Sequence, residues 1–418
     1  MDSESMKKIE RLLQKGATIP NPHSIQVGDE VSLDRIAGDG VVIHTGCKIL
    51  GEKTLIMPGV RLGDEGPVTV DDCQIGPNVE LKCGVFQRSA FLEKASMGFG
   101  AQVREGCILE EEANGAHAVG LKETILFPFV TLGSLINFCD CLMAGGTSRR
   151  NHSEVGSSYI HFNYTPNQDK ATPSLIGDVP RGVMLNRPPI FLGGQGGLVG
   201  PVRVEYGTVI AAGVVCRKDV FEGGTLLIGG DPIDKDSKYY PGVYWYVKRP
   251  VINNINYISN LIALKQWYVE VRSQFFKGEM DRMLYEGVLE KLDMAVGERI
   301  TRFRTLSQKM RESAEKYRTI VKDEANKNLL KQKQELFETW QEIEDTFYTN
   351  KDNSGDPAMR EAFLEELCRN IKEIGPDYIA VIQGLDETWS AKGSGWLQGI
   401  VDNVNRQVLH LIPSFLDR

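Results

Sequence analysis

An aliphatic residue recurs every six positions through the first half of the chain, and this period constrains the fold more than any other feature. Leu192, Leu198, Val204 and Ile210 form one such run, Leu126, Leu132, Phe138 and Ala144 a second, and Ile43, Ile49 and Leu55 a third. An aliphatic–glycine step punctuates the same region at Val27-Gly28, Leu62-Gly63, Ile75-Gly76, Met97-Gly98, Leu132-Gly133, Val155-Gly156, Ile176-Gly177 and Leu192-Gly193. Neither the helical period nor the two-residue strand period governs the pattern. Six residues suit a short flat strand plus a turn, and three such units close one triangular coil of a β-solenoid. Each aliphatic side chain then stacks on its counterpart one coil away, so neighbouring coils supply each other's burial. The pattern spans about residues 25–235, which predicts on the order of eleven coils, fewer once loops are removed.

Glycine marks where this architecture stops. Of 43 glycines, 34 precede residue 243 and 9 follow it. A chain that turns every few residues needs glycine, and a helical one avoids it. Beyond the aromatic segment at 239–245, Ile255–Phe276 is apolar at helical spacing. Met280, Leu284, Val288, Leu292, Val296, Ile300 and Phe303 recur at threes and fours, as do Leu329, Leu336, Trp340, Ile343 and Phe347. The predicted organisation is a linker helix and lead-in segment over 1–24, a parallel β-solenoid over 25–240, and an all-α helical bundle over 250–418. The bundle carries no catalytic motif and is expected to cap the solenoid end or mediate oligomerisation. Two stretches, Thr147–Ser153 and Pro180–Pro189, break the six-residue phase. They are expected to be loops on a binding face.

A net charge of −8 argues against general nucleic-acid binding. No apolar run approaches the roughly 20 residues of a membrane span, and no secretory signal is visible at the start. Eight cysteines without a CxxC pair fit reduced thiols, and a cytoplasmic location is expected.

The hexapeptide pattern resembles the left-handed parallel β-helix acyltransferases, and the handedness is an implication of that resemblance. Within the superfamily it is most similar to the acetyltransferase half of the bifunctional N-acetylglucosamine-1-phosphate uridyltransferase/glucosamine-1-phosphate acetyltransferase family. Four stretches carry the likeness. Leu12–Gly16 with Pro20-Asn21-Pro22 resembles the linker into the β-helix. Leu132–Phe138 resembles the coil before the active site. Phe162-Asn163-Tyr164 followed by Lys170 resembles a Cys-Asn-Tyr segment. Phe191–Gly194, Leu198–Val202 and Ile210–Gly213 resemble the C-terminal coils. The likeness covers about residues 9–220 and omits the uridyltransferase domain, so no uridyltransferase activity is expected. It implies acetyl-CoA as co-substrate, a homotrimer, and CoA contacts at Asn163, Tyr164, Gly194 and Ala212. Gly194 stands where that family has Ser, and the glycines at 193–197 are expected to leave room for the cofactor. The acceptor half diverges. Gly146 stands where the family's catalytic His belongs, Arg149 where it has Tyr, and its sugar-phosphate Lys falls near Cys139.

Acetyl transfer to an amine needs a base, and His152 or His161 could replace the missing one. Arg149, Arg150, Arg181 and Arg187, in the two phase-breaking loops, could hold an acceptor's phosphate. A zinc site built on His117, His152 and His161 lacks suitable spacing, and no metal is expected. The resemblance thus implies an acyl-CoA-dependent transferase, most simply an acetyltransferase, acting on an amino sugar phosphate or a nucleotide sugar such as a UDP-N-acetylglucosamine relative. The alternative is a non-catalytic nucleotide-sugar-binding or scaffold protein.

Overall fold

The structure is a computed structural model, and it describes residues 3–163, 165–229, 236, 238–322 and 325–416. A parallel β-solenoid comes first and a helical region follows. Strand pairing defines three faces. The first runs from Gln26–Val27 to Val215–Cys216, the second from Leu55–Ile56 to Arg203–Val204, and the third is a ten-stranded ladder from Val42–Ile43 to Leu226–Leu227. Strands Gly120–Leu126 and Asn137–Met143 run through a corner and join the first face to the second.

The six-residue run 192–198–204–210 visits the third, first, second and again third face, as one coil should. The other two runs drift by one residue. Leu126 pairs with Met143 seventeen positions on, so Met143 rather than Ala144 holds the core column. Ile56, not Leu55, continues the column from Ile36 to Ile75. Five of the eight aliphatic–glycine steps (62, 97, 132, 155 and 192) close the third face. A Cβ at Gly156 would clash with the backbone nitrogen of Gly194, and one at Gly193 with that of Ala212. The spacing between coils, not a positive φ, is what demands glycine there.

Each face has its own outward column. On the second face this column reads Leu55, Gln74, Ala90, Ile108, Ile125, Leu142 and Leu175, uncharged until it reaches Arg203 on the last strand of the face. Strands apolar on both sides require cover on both sides. The cover is the helical region, which corrects the expectation that it caps the solenoid end. Helices α3 (Lys248–Glu270) and α4 (Glu279–Gln308) lie lengthwise along the second face. Gly287 of α4 sits so close that a Cβ would clash with Gln74. Buried asparagines of α3 satisfy backbone groups of the solenoid. Asn253 donates to Pro201 O at 3.2 Å, Asn254 to Ala171 O at 2.9 Å, and Asn260 accepts from Val179 N at 3.0 Å. Tyr268 donates to Glu110 at 2.5 Å, and Arg272 pairs with Glu111 at 2.5 Å. The element at the solenoid's N-terminal end is instead α1 (Ser3–Gln14), whose Lys8 ammonium donates to the carbonyls of Gly28, Asp29 and Val31.

The phase-breaking stretches are more ordered than loops. Gly146–Ser148 and Asn151–His152 form an antiparallel hairpin. The second stretch opens with the short helix α2 (Val179–Gly182), its N-terminus capped by Asp178.

Candidate active site at the edge between the first and second faces

The structure distributes the expected site residues over three prism edges. Gly194 and Ala212 lie where the third face turns into the first. The room expected beside Gly194 is occupied by the neighbouring coil, since a Cβ there would meet Ser157 O at 2.8 Å. Asn163 lies on the next edge, between the first and second faces. Tyr164 lies outside the described residues. Within one chain, a ligand touching both Asn163 and Gly194 must cross the width of the first face, roughly 15–20 Å of extended chain.

His152 and the four arginines gather on the third edge, between the second and third faces, where both inserted stretches emerge. The two stretches do adjoin, as Gly146 N donates to Arg187 O at 3.0 Å. Two of the four guanidinium groups, those of Arg149 and Arg181, are engaged by protein, whereas the buried Nε of Arg187 has no hydrogen-bond partner among the described residues. Arg149 donates to Glu112 O, Phe129 O and Thr131 Oγ1 at 2.9–3.1 Å. Arg181 pairs with Asp178 and Glu205 and lies over the Tyr206 ring. His152 is held through Nδ1 by Arg149 O at 2.9 Å, and Arg150 is exposed. Gln383 donates to Thr147 O and Leu185 O, and so ties the helical region to this edge.

His161 does not reach any edge. It continues the inward column Leu121–Phe138–His161–Leu198 and is 1% exposed. Nδ1 lies 2.6 Å from Cys139 O and Nε2 2.8 Å from Ser174 Oγ, so neither nitrogen is open to a substrate. Burial pushes the imidazole down to about 4 against the pull of Asp140. The three histidines weighed for zinc stand apart, and among the described residues no group of His, Cys, Asp and Glu could hold a metal ion.

At Asn163 the edge opens into a cavity of about 220 Å³ lined by Arg104, Lys122, Glu123, Asn137, Cys139, Asp140, Asn163 and Lys170, with Glu298 and Arg302 of α4 as its lid. The repeat builds it. Lys122 and Cys139 pair directly across neighbouring coils, which sets Glu123 one coil from Asp140 at the same corner. Both corner residues adopt positive φ, 48° and 59°. Asn163 donates to Asp140 at 3.0 Å. Arg299 of α4 is fully buried, donates to both carboxylates and lies 2.7 Å from Asp140. The two acids diverge. Burial pushes Glu123 up to about 7. Burial also opposes charge on Asp140, but Arg299 and the hydrogen bonds from Glu123 and Asn163 outweigh it and hold that carboxyl low. One proton shared between two acids at one arginine gives a carboxyl that titrates near neutrality. Lys122 contacts Glu105 at 2.8 Å, whereas Arg104 and Lys170 form no ion pair among the described residues.

The six-residue signal located none of Arg104, Lys122, Glu123 or Asp140. Their signal is the coil register: Lys122-Glu123 and Cys139-Asp140 repeat a corner dipeptide 17 residues apart. Lys122 supplies a cation one coil before Cys139.

No protein-family model matches the chain. Curated relatives are each called Bifunctional protein GlmU. The protein of Thermotoga petrophila is 29% identical over 228 residues, covering 51% of this chain and 43% of its own length. That of Carboxydothermus hydrogenoformans is 25% identical over 230 residues, 55% and 46% respectively. That of Pseudomonas putida is 28% identical over 231 residues, 52% and 42%. The chain thus spans less than half the length of these relatives. About half of it is homologous to GlmU, and its solenoid is a β-helix of the hexapeptide-repeat kind.

Proposed function

We propose that the chain is an acyl-CoA-dependent N-acyltransferase, most simply an acetyltransferase, whose acceptor is an amino sugar phosphate or a nucleotide-linked amino sugar. The observation that carries this reading is the edge cavity. It gathers Asn163 and Lys170, both within a segment resembling the acetyltransferase family, with Arg104, which like Lys170 forms no ion pair among the described residues, and a carboxyl that titrates near neutrality. Arg104 and Lys170 suit the acceptor's phosphate. Glu123 takes the base role for which no histidine is placed. The acceptor amine bonds to the thioester carbonyl carbon and its proton passes to Glu123. The C–S bond then breaks, and the departing CoA thiolate takes up a proton to leave as thiol. A cavity of this size suits the acceptor's sugar end rather than a whole nucleotide sugar. The homology to GlmU supports small sugar substrates and a homotrimer, and unbridged cysteines accord with the cytoplasm.

Free-thiol release from acetyl-CoA, measured against glucosamine-1-phosphate and UDP-linked amino sugars, tests this reading. Turnover is expected with at least one acceptor, with kcat rising as pH rises through about 7 as Glu123 loses its proton. Glu123→Gln should lower kcat about a hundredfold or more, whereas Lys170→Ala should chiefly raise KM. Acceptor binding without thiol release across the panel would instead favour a sugar-binding scaffold, the reading that Gly146 in place of the family histidine favours.

A further inference from the structure

Two coils beyond the cavity, along the same edge, a larger cleft opens between the last coils of the solenoid and the helical region. Its volume is about 900 Å³. The solenoid contributes Arg203, Arg217 and Phe221, the segment leading into α3 contributes Trp245 and Tyr246, and the first turn of α3 contributes Arg249. In a chain of net charge −8, this lining holds, among the described residues, the three arginines against one acid, Asp219. Asp219 is held in place within the cleft: its Oδ1 accepts from Arg203 N at 2.9 Å and from Asn253 at 3.0 Å. None of the three arginines forms an ion pair among the described residues. Arg203 is half-buried, lies over the Phe221 ring at 5.3 Å, and is lowered by burial. Three guanidinium groups facing one cleft with the single carboxylate of Asp219 leave an excess of positive charge there, which a bound anion would neutralise.

The apolar half of the lining is aromatic and exposed. Tyr246 is 86% exposed and Phe221 62%. Trp245 is fixed from behind, packing edge-on against Tyr317 at 5.5 Å and against Tyr240 at 6.0 Å. An exposed ring braced by two others offers a rigid stacking surface. The first turn of α3 also faces the cleft with Lys248 and Arg249, no acid and no side-chain cap, so the helix end favours the same sign of ligand charge.

We propose that this cleft binds a nucleoside phosphate, with the base stacked on Trp245 and Tyr246 and the phosphates held by Arg203, Arg217 and Arg249. The volume suits a ligand of this size. Two sources share this chemistry: a free nucleotide, and the nucleotide end of CoA. Neighbouring strands stand about 4.8 Å apart, so the two coils between cleft and cavity amount to about 10 Å, which a pantetheine arm can cross. The site itself holds whether or not the cavity transfers acyl groups.

The test is titration of the full chain with ADP, UDP, CoA and inorganic pyrophosphate, followed by calorimetry and by tryptophan fluorescence. Saturable binding of a nucleotide or of CoA is expected, with pyrophosphate weaker for want of a ring to stack. Arg217→Glu and Tyr246→Ala change exposed side chains. Each should weaken binding at least tenfold while leaving the melting temperature in place. Trp245→Phe should abolish the fluorescence change. Lys170→Ala, in the cavity, should leave ADP binding unchanged. CoA binding much more tightly than ADP identifies CoA as the source, and equal affinities identify a free nucleotide. No saturable binding of any probe at millimolar concentration, or binding indifferent to Arg217→Glu and Tyr246→Ala, would overturn the proposal.

Discussion

At the scale of single residues, the exceptions to the repeat carry the chemistry. His161 is a polar member of an apolar column, paired at both nitrogens and pushed down to about 4 from an ordinary 6.5. Its folded value lies below its unfolded one, so the unfolded chain takes up the proton first as pH falls. Stability therefore drops between about 6.5 and 4, by on the order of 3 kcal/mol, and levels off below. His161→Leu is expected to lower stability at neutral pH, because Cys139 O and Ser174 Oγ lose their partner, and to remove this acid slope. Urea unfolding at a series of pH values checks both effects. Glu123 behaves in the opposite sense, as burial raises it. Its protonation favours the folded state, which supports stability below neutrality and loses that support above about 7. The sequence offered His161 as a candidate base, and only the coil register, in which it follows Phe138 and precedes Leu198, shows that its strand faces it inward.

At the scale of elements, the solenoid was legible because one strand–turn unit repeats and every coil tests the same pattern. Positions slipped by one where coils shorten from 18 to 17 residues, as at Met143. The covering of the second face was also written in the sequence, in the uncharged outward column from Leu55 to Leu175, but only the register separates it from the inward column. The scattered site residues were not legible. The spacing that places a residue on a coil does not choose among three edges. Two element-scale predictions follow from the contacts. Gly193→Val should destabilise the chain by about 2–4 kcal/mol, since the added carbons meet the backbone of the next coil. Arg272→Met should cost about 3–5 kcal/mol, since it leaves Glu111 beside the buried Glu110 without a counter-charge. Chemical denaturation reads both.

At the scale of the whole molecule, the helical region turns a three-faced prism into one with two open faces. It supplies the lid of the edge cavity and one wall of the larger cleft, so both pockets are joint products of the two halves. The trimer we propose must use the first and third faces, because the second is covered. The third face ends in an exposed apolar column, Phe191–Val209–Leu226, in direct register. Sedimentation equilibrium should return three times the chain mass of 46.5 kDa, and Val209→Glu should return the single chain. A monomeric wild type would confine each site to its own chain.

The central claim, that the edge cavity under α4 is where the acceptor binds, is most directly tested by crystals of the full chain soaked with glucosamine-1-phosphate. The account predicts density for the phosphate beside Arg104 and Lys170, with the amine within hydrogen-bond reach of Glu123. Density instead at the opposite edge, beside Arg150 and His152, would contradict it.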